Sequence, residues 1–230
     1  MNIAKIINKL GCILIISCLA GHAIADKPAK NLEAPGVKTD FQSVLTGENL
    51  YNKYRYSLLY YYGKTVNGAL VGTVVGNFKP WPEHIQSLEF AYTLAPGNAF
   101  RNFFSRIVGV VQLAGNVTVR NGSNEPTIYE FDPYIIFRWA NLPWNQHVVT
   151  SLALAEGVSY VSSVPAIEKR NGDNYKRLIN YLMFEATFAM PDHPQLQFVI
   201  RIHHRSGAYG LYGAGNNGSN DIGAGIRYLF

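Results

Sequence analysis

Apolar and polar residues alternate along most of this chain with the period of two that belongs to β-strands. The pattern is clearest near the C-terminus, in QFVIRIHHRSGAYGLYGAGNNGSNDIGAGIRYLF (197–230). There Phe198, Ile200, Ile202, His204 and Ser206 share one face, and Val199, Arg201, His203 and Arg205 share the other. After a Gly/Asn-rich loop, Asn220, Ile222, Ala224, Ile226, Tyr228 and Phe230 form a second apolar row, with Asp221, Gly223, Gly225 and Arg227 opposite. Paired as a hairpin, these two strands bring His204, Ser206 and Asn220 to one end of an apolar surface.

The same alternation predicts six earlier strands: Tyr51 to Thr65, His84 to Leu94, Ile107 to Val119, Thr127 to Trp139, Val148 to Ser162 and Leu178 to Ala189. Turn residues close them, among them Asn121-Gly122-Ser123, Pro143, Pro191 and Pro194. Gly157 suggests a bulge in the fifth strand, and the stretch from Gly68 to Phe78 fits a short strand or a buried loop equally. Tyr54, Tyr56, Leu58, Tyr60 and Tyr62 fall on one face of the first strand, a tyrosine row suited to a membrane interface. Eight strands, alternating and aromatic at their ends, predict an all-β fold: an eight-stranded antiparallel transmembrane β-barrel. A periplasmic β-sandwich is the soluble alternative.

The N-terminus supports export. Lys5 and Lys9, an apolar run from Gly11 to Ala20 and small residues at Ala23 and Ala25 predict a secretory signal peptide over residues 1–25. The run is about half the roughly 20 residues a spanning helix needs. A lipoprotein reading at Cys18 sits poorly with Ile15 and Ile16 before it. Residues 26–48, with Pro28, Pro35 and Gly36, read as a polar periplasmic lead-in, and 49–230 as the barrel. Cys12 and Cys18 both fall in the signal peptide, which excludes a disulfide framework, a thiolate metal site and a cysteine nucleophile from the mature chain.

The formal net charge of +5 is spread along the chain. It gives no case for nucleic acid and suits an anionic membrane surface. Arg201, His203 and Arg205 face the barrel interior on this reading, where carboxylates such as Glu185 and Glu156 are their expected partners. His203 and His204 point to opposite faces, so they do not form a two-His metal site. Gly213-Ala214-Gly215-Asn216-Asn217-Gly218 matches G-x-G-x-x-G, but a strand follows where a dinucleotide fold needs a helix. Asn217-Gly218-Ser219, like Asn121-Gly122-Ser123, reads as a turn.

The chemistry lies in the hairpin. His204 and Ser206, at i and i+2, place an imidazole near a hydroxyl, the base and nucleophile pairing of ester hydrolysis. The simpler reading of the spacing is an interfacial histidine beside a turn serine. A polar cluster facing lipid is costly, however, which favours function. Signal peptide, eight-strand pattern, H-x-S late in the seventh strand, a short loop and a last strand that ends the protein together resemble the PagL-type lipid A 3-O-deacylases. The resemblance is carried by about the last thirty residues.

It implies an outer-membrane barrel in a Gram-negative bacterium, embedded among lipid A and lipopolysaccharide, that removes an ester-linked acyl chain without a cofactor. It makes Ser206 the nucleophile and His204 the general base. The family has a Glu where ungapped alignment of the last strand puts Asn220, and an Asn where this chain has Gly207. Asn220 orients the ring on this reading. Asp221 is the rival acid if a bulge turns it outward, and main-chain N–H groups after Ser206 are candidates for the oxyanion. The alternative from another class is a non-catalytic barrel that is structural or contacts lipopolysaccharide.

Overall fold

The structure, a computed structural model, describes residues 45–172, 174–215 and 217–230. The signal peptide, the cysteines and nearly all of the polar lead-in lie outside the described residues. Eight strands form a closed antiparallel barrel, each paired with its sequence neighbours and the last with the first. They are β1 (Tyr56–Asn67), β2 (Lys79–Thr93), β3 (Val110–Asn121), β4 (Ile128–Trp139), β5 (Val149–Val161), β6 (Leu178–Ala189), β7 (Leu196–Ser206) and β8 (Gly218–Leu229). Short helices precede or join them: α1 (Gly47–Lys53), α2 (Leu70–Val74), α3 (Ala99–Phe104) and α4 (Ala166–Asn171). No described helix is long and apolar enough to cross a membrane, which says nothing of strands that do.

All eight expected strands are present, with three differences. Residues Tyr51 to Lys53 belong to α1 rather than to the first strand. Leu50 and Tyr51 are buried in the barrel mouth, where the Tyr51 hydroxyl meets Ser151 at 3.0 Å. An apolar-aromatic run satisfies a helical plug of about two turns as well as a strand edge. The undecided stretch from Gly68 to Phe78 holds α2, and β2 begins five residues early, at Lys79.

Gly157 makes no bulge, because the β4–β5 register is the same on both sides of the unpaired Asp132 and Pro133, from Glu130↔Val161 to Trp139↔Leu152. It is a close-approach glycine: a Cβ there would collide with the Pro133 carbonyl.

Strand alternation sorts the side chains as expected. Tyr56, Leu58, Tyr60 and Tyr62 point outward and are about half exposed, as are Leu88, Phe90, Phe198, Ile200, Ile226 and Tyr228 around the wall. So much contiguous apolar surface needs an apolar surrounding. The inward residues carry the charge. Toward the end where Phe230 lies, Arg138, Arg201 and Arg227 converge on Glu185, and Arg201 and Arg227 also reach Glu89. Toward the opposite end, Arg120 pairs with Asp221 at 2.8 Å, and Arg205 with Glu168 of α4 at 2.8 Å.

Glu185 is thus an inward partner of Arg201, as the sequence implies, but Glu156 is not. Leu152, Leu154 and Glu156 share the outward face of β5, while Ala153, Ala155 and Ser159 point in. His203 and Arg205 find Glu130 and Glu168 instead.

Removing one side of a buried ion pair leaves the other charge stranded, at roughly 3–5 kcal/mol. Glu185→Gln would leave three guanidiniums facing Glu89 alone. Refolded into detergent micelles and unfolded in urea, that variant should lose stability on this scale, whereas outward-facing Glu156→Gln should change it little. Equal midpoints for Glu185→Gln and wild type would contradict this account of the lumen.

Candidate active site

The β7–β8 register runs without a break from Leu196↔Tyr228 to Ser206↔Gly218 and sets His204 opposite Asn220. Outward residues of β7 are even-numbered, so His204 and Ser206 follow Phe198, Ile200 and Ile202 onto the outer wall. They lie at the end of the barrel away from Phe230. The hairpin therefore assembles the three residues singled out in the sequence on one outward patch.

His204 Nδ1 lies 2.7 Å from Asn220 Oδ1, and Asn220 Nδ2 donates to the Gly68 carbonyl at 2.8 Å. A carbonyl only accepts hydrogen bonds, which fixes the amide: nitrogen toward Gly68, oxygen toward the ring. An amide oxygen also only accepts, so His204 Nδ1 carries the proton. The Nε2 lone pair is then left free, which is the tautomer a general base requires. Asn220 is buried, covered by the β1–β2 connection that supplies Gly68, while His204 and Ser206 are half-buried.

Among the described residues no hydrogen bond joins the Ser206 hydroxyl to His204. Their backbone positions are about 6.6 Å apart along a strand, so contact depends on how both side chains turn. Asp221, the rival acid, points inward and is held by both Arg120 nitrogens and the Thr65 hydroxyl. The unbroken register leaves no bulge to turn it outward.

The main chain after Ser206 is only partly available to an oxyanion. Gly207 N–H donates to the Asn217 carbonyl at 2.9 Å, which removes the nearest donor expected from the sequence. Ala208 and Tyr209 then adopt left-handed backbone, φ 45° and 54°, and turn the chain sharply off the strand. Such a conformation is uncommon for residues with a Cβ and concentrates at functional sites.

Sequence reasoning missed Asn180. It lies directly opposite Ser206 across β6–β7, on the outward face it shares with Leu178, Leu182 and Phe184. The signal was present, since one polar residue breaks an outward apolar row beside the H-x-S strand. Glu156 stands within reach of the Asn180 amide. It is in cross-strand row with Leu182 and His204, its backbone two strands or about 10 Å from that of His204. A shallow hollow of about 430 Å³ opens beside Glu156, bounded by Leu113, Pro133, Ile135 and Gly157. Its walls are mostly apolar side chains.

No family model matches this chain, and no curated protein matches its sequence. Among solved structures it is similar to the outer membrane enzyme PagL, at 13% identity and a TM-score of 0.45, over 76% of this chain and 99% of that one. It is also similar to Neisserial surface protein A, at 12% identity and a TM-score of 0.44, over 76% and 96%. The outer membrane protein Ail of Yersinia pestis, in phospholipid bilayer nanodiscs, gives 10% identity and a TM-score of 0.39 over 76% and 99%. One of the three is described as an enzyme, and the likeness to all of them is of fold: this chain is a closed, eight-stranded, antiparallel β-barrel.

Proposed function

We propose that this protein is an ester hydrolase of a Gram-negative outer membrane that removes an ester-linked acyl chain from lipid A. The observation that carries the reading is the Gly68–Asn220–His204 relay, which leaves an unprotonated Nε2 on the outward wall two residues from Ser206. The outward position matters, because the substrate's ester lies in the membrane and not in the lumen. With the start of β1 and the end of β8 on the periplasmic side, the patch sits at the level of the outer leaflet.

The chemistry follows the general pattern of acyl transfer. His204 Nε2 takes the Ser206 proton as Oγ attacks the ester carbonyl, and the C–O bond to the sugar breaks as the imidazolium returns the proton to the leaving alkoxide. Water, deprotonated by the same nitrogen, then attacks the acyl carbonyl, and the acyl C–Oγ bond breaks as the imidazolium returns that proton to Ser206 Oγ, releasing the fatty acid. Asn180, paired across from Ser206, has two amide N–H groups: Glu156 takes one, and the other is the candidate donor to the oxyanion, since the Gly207 N–H is already engaged. Asn220 holds the ring but carries no charge, so it stabilises the imidazolium less than a carboxylate would. The reaction should accordingly be slow. No step requires a cofactor.

The absence of a Ser206–His204 hydrogen bond favours the second reading, a non-catalytic barrel that contacts lipopolysaccharide. Expression in the outer membrane of a host with simple lipopolysaccharide, followed by mass spectrometry of lipid A, separates the two. Wild type should remove one hydroxyacyl chain, and Ser206→Ala should abolish this while keeping the folded band on an unheated gel. Unchanged lipid A with well-folded wild type would sink the hydrolase.

Asn220 makes a second test. Asn220→Ala keeps the base but frees its ring, and kcat should fall by about 10²-fold with KM little changed. In ¹⁵N spectra His204 should carry its proton on Nδ1 in wild type and populate both tautomers in Asn220→Ala. A proton found on Nε2 in wild type would remove the base and the mechanism with it.

A further inference from the structure

The lumen holds two charged layers with opposite imbalances. In the layer nearer Phe230 three guanidiniums, Arg138, Arg201 and Arg227, face two carboxylates, Glu89 and Glu185. The layer below the active-site end is the reverse. Glu83, Glu130, Asp132, Glu168 and Asp221 face only Arg120, Arg205 and the His203 imidazole. Even with His203 protonated, the carboxylates of this layer outnumber its cations by two among the described residues. Every one of these side chains is buried. Uncompensated buried charge is costly enough that a fold either neutralises it or holds a cation there.

The deficit is concentrated at one residue. Asp132 is fully buried, and neither of its carboxylate oxygens has a hydrogen-bond partner. A proton shared between Asp132 and Glu130 is the competing way to neutralise the pair, and a test of ion retention separates the two. What surrounds Asp132 is a ligand set. Glu130 lies two residues earlier on the same inward face of β4, and His203 reaches across the lumen from β7. One ligand atom from each of the three lies within 4.8 Å of the other two. His203 Nε2 is 2.8 Å from Glu130 Oε1 and 3.9 Å from Asp132 Oδ2. A tetrahedral ion with ligands about 2.0–2.1 Å away spaces them about 3.4 Å apart, between these two values.

We propose that Glu130, Asp132 and His203 form a divalent metal site inside the barrel. Two carboxylate oxygens and one imidazole nitrogen suit a first-row transition ion, Zn²⁺ foremost, with a fourth position left for water. The ion satisfies both the Asp132 carboxylate and most of the layer's excess negative charge. It also ties β4 to β7, two strands that do not pair in the sheet. Its role is structural: His204 and Ser206 point through the opposite face of β7, so the ion touches neither. The site is independent of the proposed hydrolase activity.

The test uses the full chain refolded from urea into detergent micelles with and without Co²⁺, so that slow entry into a closed lumen does not hide binding. After gel filtration, wild type should retain about one Co²⁺ per chain, show ligand-field absorption bands and exchange the ion for Zn²⁺. Asp132→Asn and His203→Gln, checked for folding by their unheated gel band, should each weaken retention by about tenfold or more. The Co²⁺ form should also show a paramagnetically shifted imidazole N–H signal from His203 Nδ1, a readout that needs no variant to fold. Folded wild type that retains neither ion overturns the proposal. So does retention undiminished in the folded variants, or a Co²⁺ form without the shifted imidazole signal.

Discussion

A closed eight-stranded barrel encloses side chains and little else, so every charge sent inward must be answered by another side chain or an ion in that narrow space. This constraint organises the molecule. Strand alternation leaves no choice about which residues go in: once Phe198, Ile200 and Ile202 face out, Arg201, His203 and Arg205 must face the lumen. Their partners come from far along the chain. Glu89, Glu130 and Glu185 lie on three other strands, and Glu168 hangs into the barrel from a helix in the β5–β6 connection. The network therefore ties strands that share no backbone hydrogen bonds, such as β2 with β7 through Glu89 and Arg201.

Much of this is legible in the sequence because the period of a strand is two and has no tolerance for drift. All eight strands, the outward tyrosines of β1 and the shared face of His204, Ser206 and Asn220 follow from counting. Counting fails where the pattern is locally satisfied by something else. Tyr51 reads as the start of a strand but forms a helical plug with Leu50, since an apolar residue at a barrel mouth buries itself equally well either way. Glu156 was expected inside because the interior needs carboxylates, yet Leu152 and Leu154 already fix its parity as outward. Demand for a partner is weaker information than position in the alternation. Asn180 and Asp132 escape for another reason: their significance depends on which strand lies opposite, and register is a property of the folded sheet.

The active-site reading rests on an exchange of one restraint for another. A carboxylate beside a histidine fixes the tautomer by its charge, accepting a proton from whichever nitrogen faces it. An amide fixes it only if the amide itself cannot flip, because its nitrogen would otherwise ask the ring for a lone pair. Here the Gly68 carbonyl supplies the missing restraint by demanding the Asn220 amide nitrogen. Orientation is thus secured without the charge that would stabilise imidazolium, so an Asn partner is compatible with a base at His204.

The two faces of β7 are therefore not independent. A slip of one residue in its pairing would move His204 and Ser206 into the lumen and push Arg201, His203 and Arg205 out onto the apolar outer face. Three buried cationic or imidazole side chains, each held by carboxylates on other strands or on α4, make that slip prohibitively expensive. The interior network does not touch the proposed chemistry, yet it holds the strand that carries it in a single register. Adjacent histidines illustrate the division. His203 spends its nitrogen on Glu130 inside the wall, and His204 keeps Nε2 free outside it, because the strand between them can face only one way.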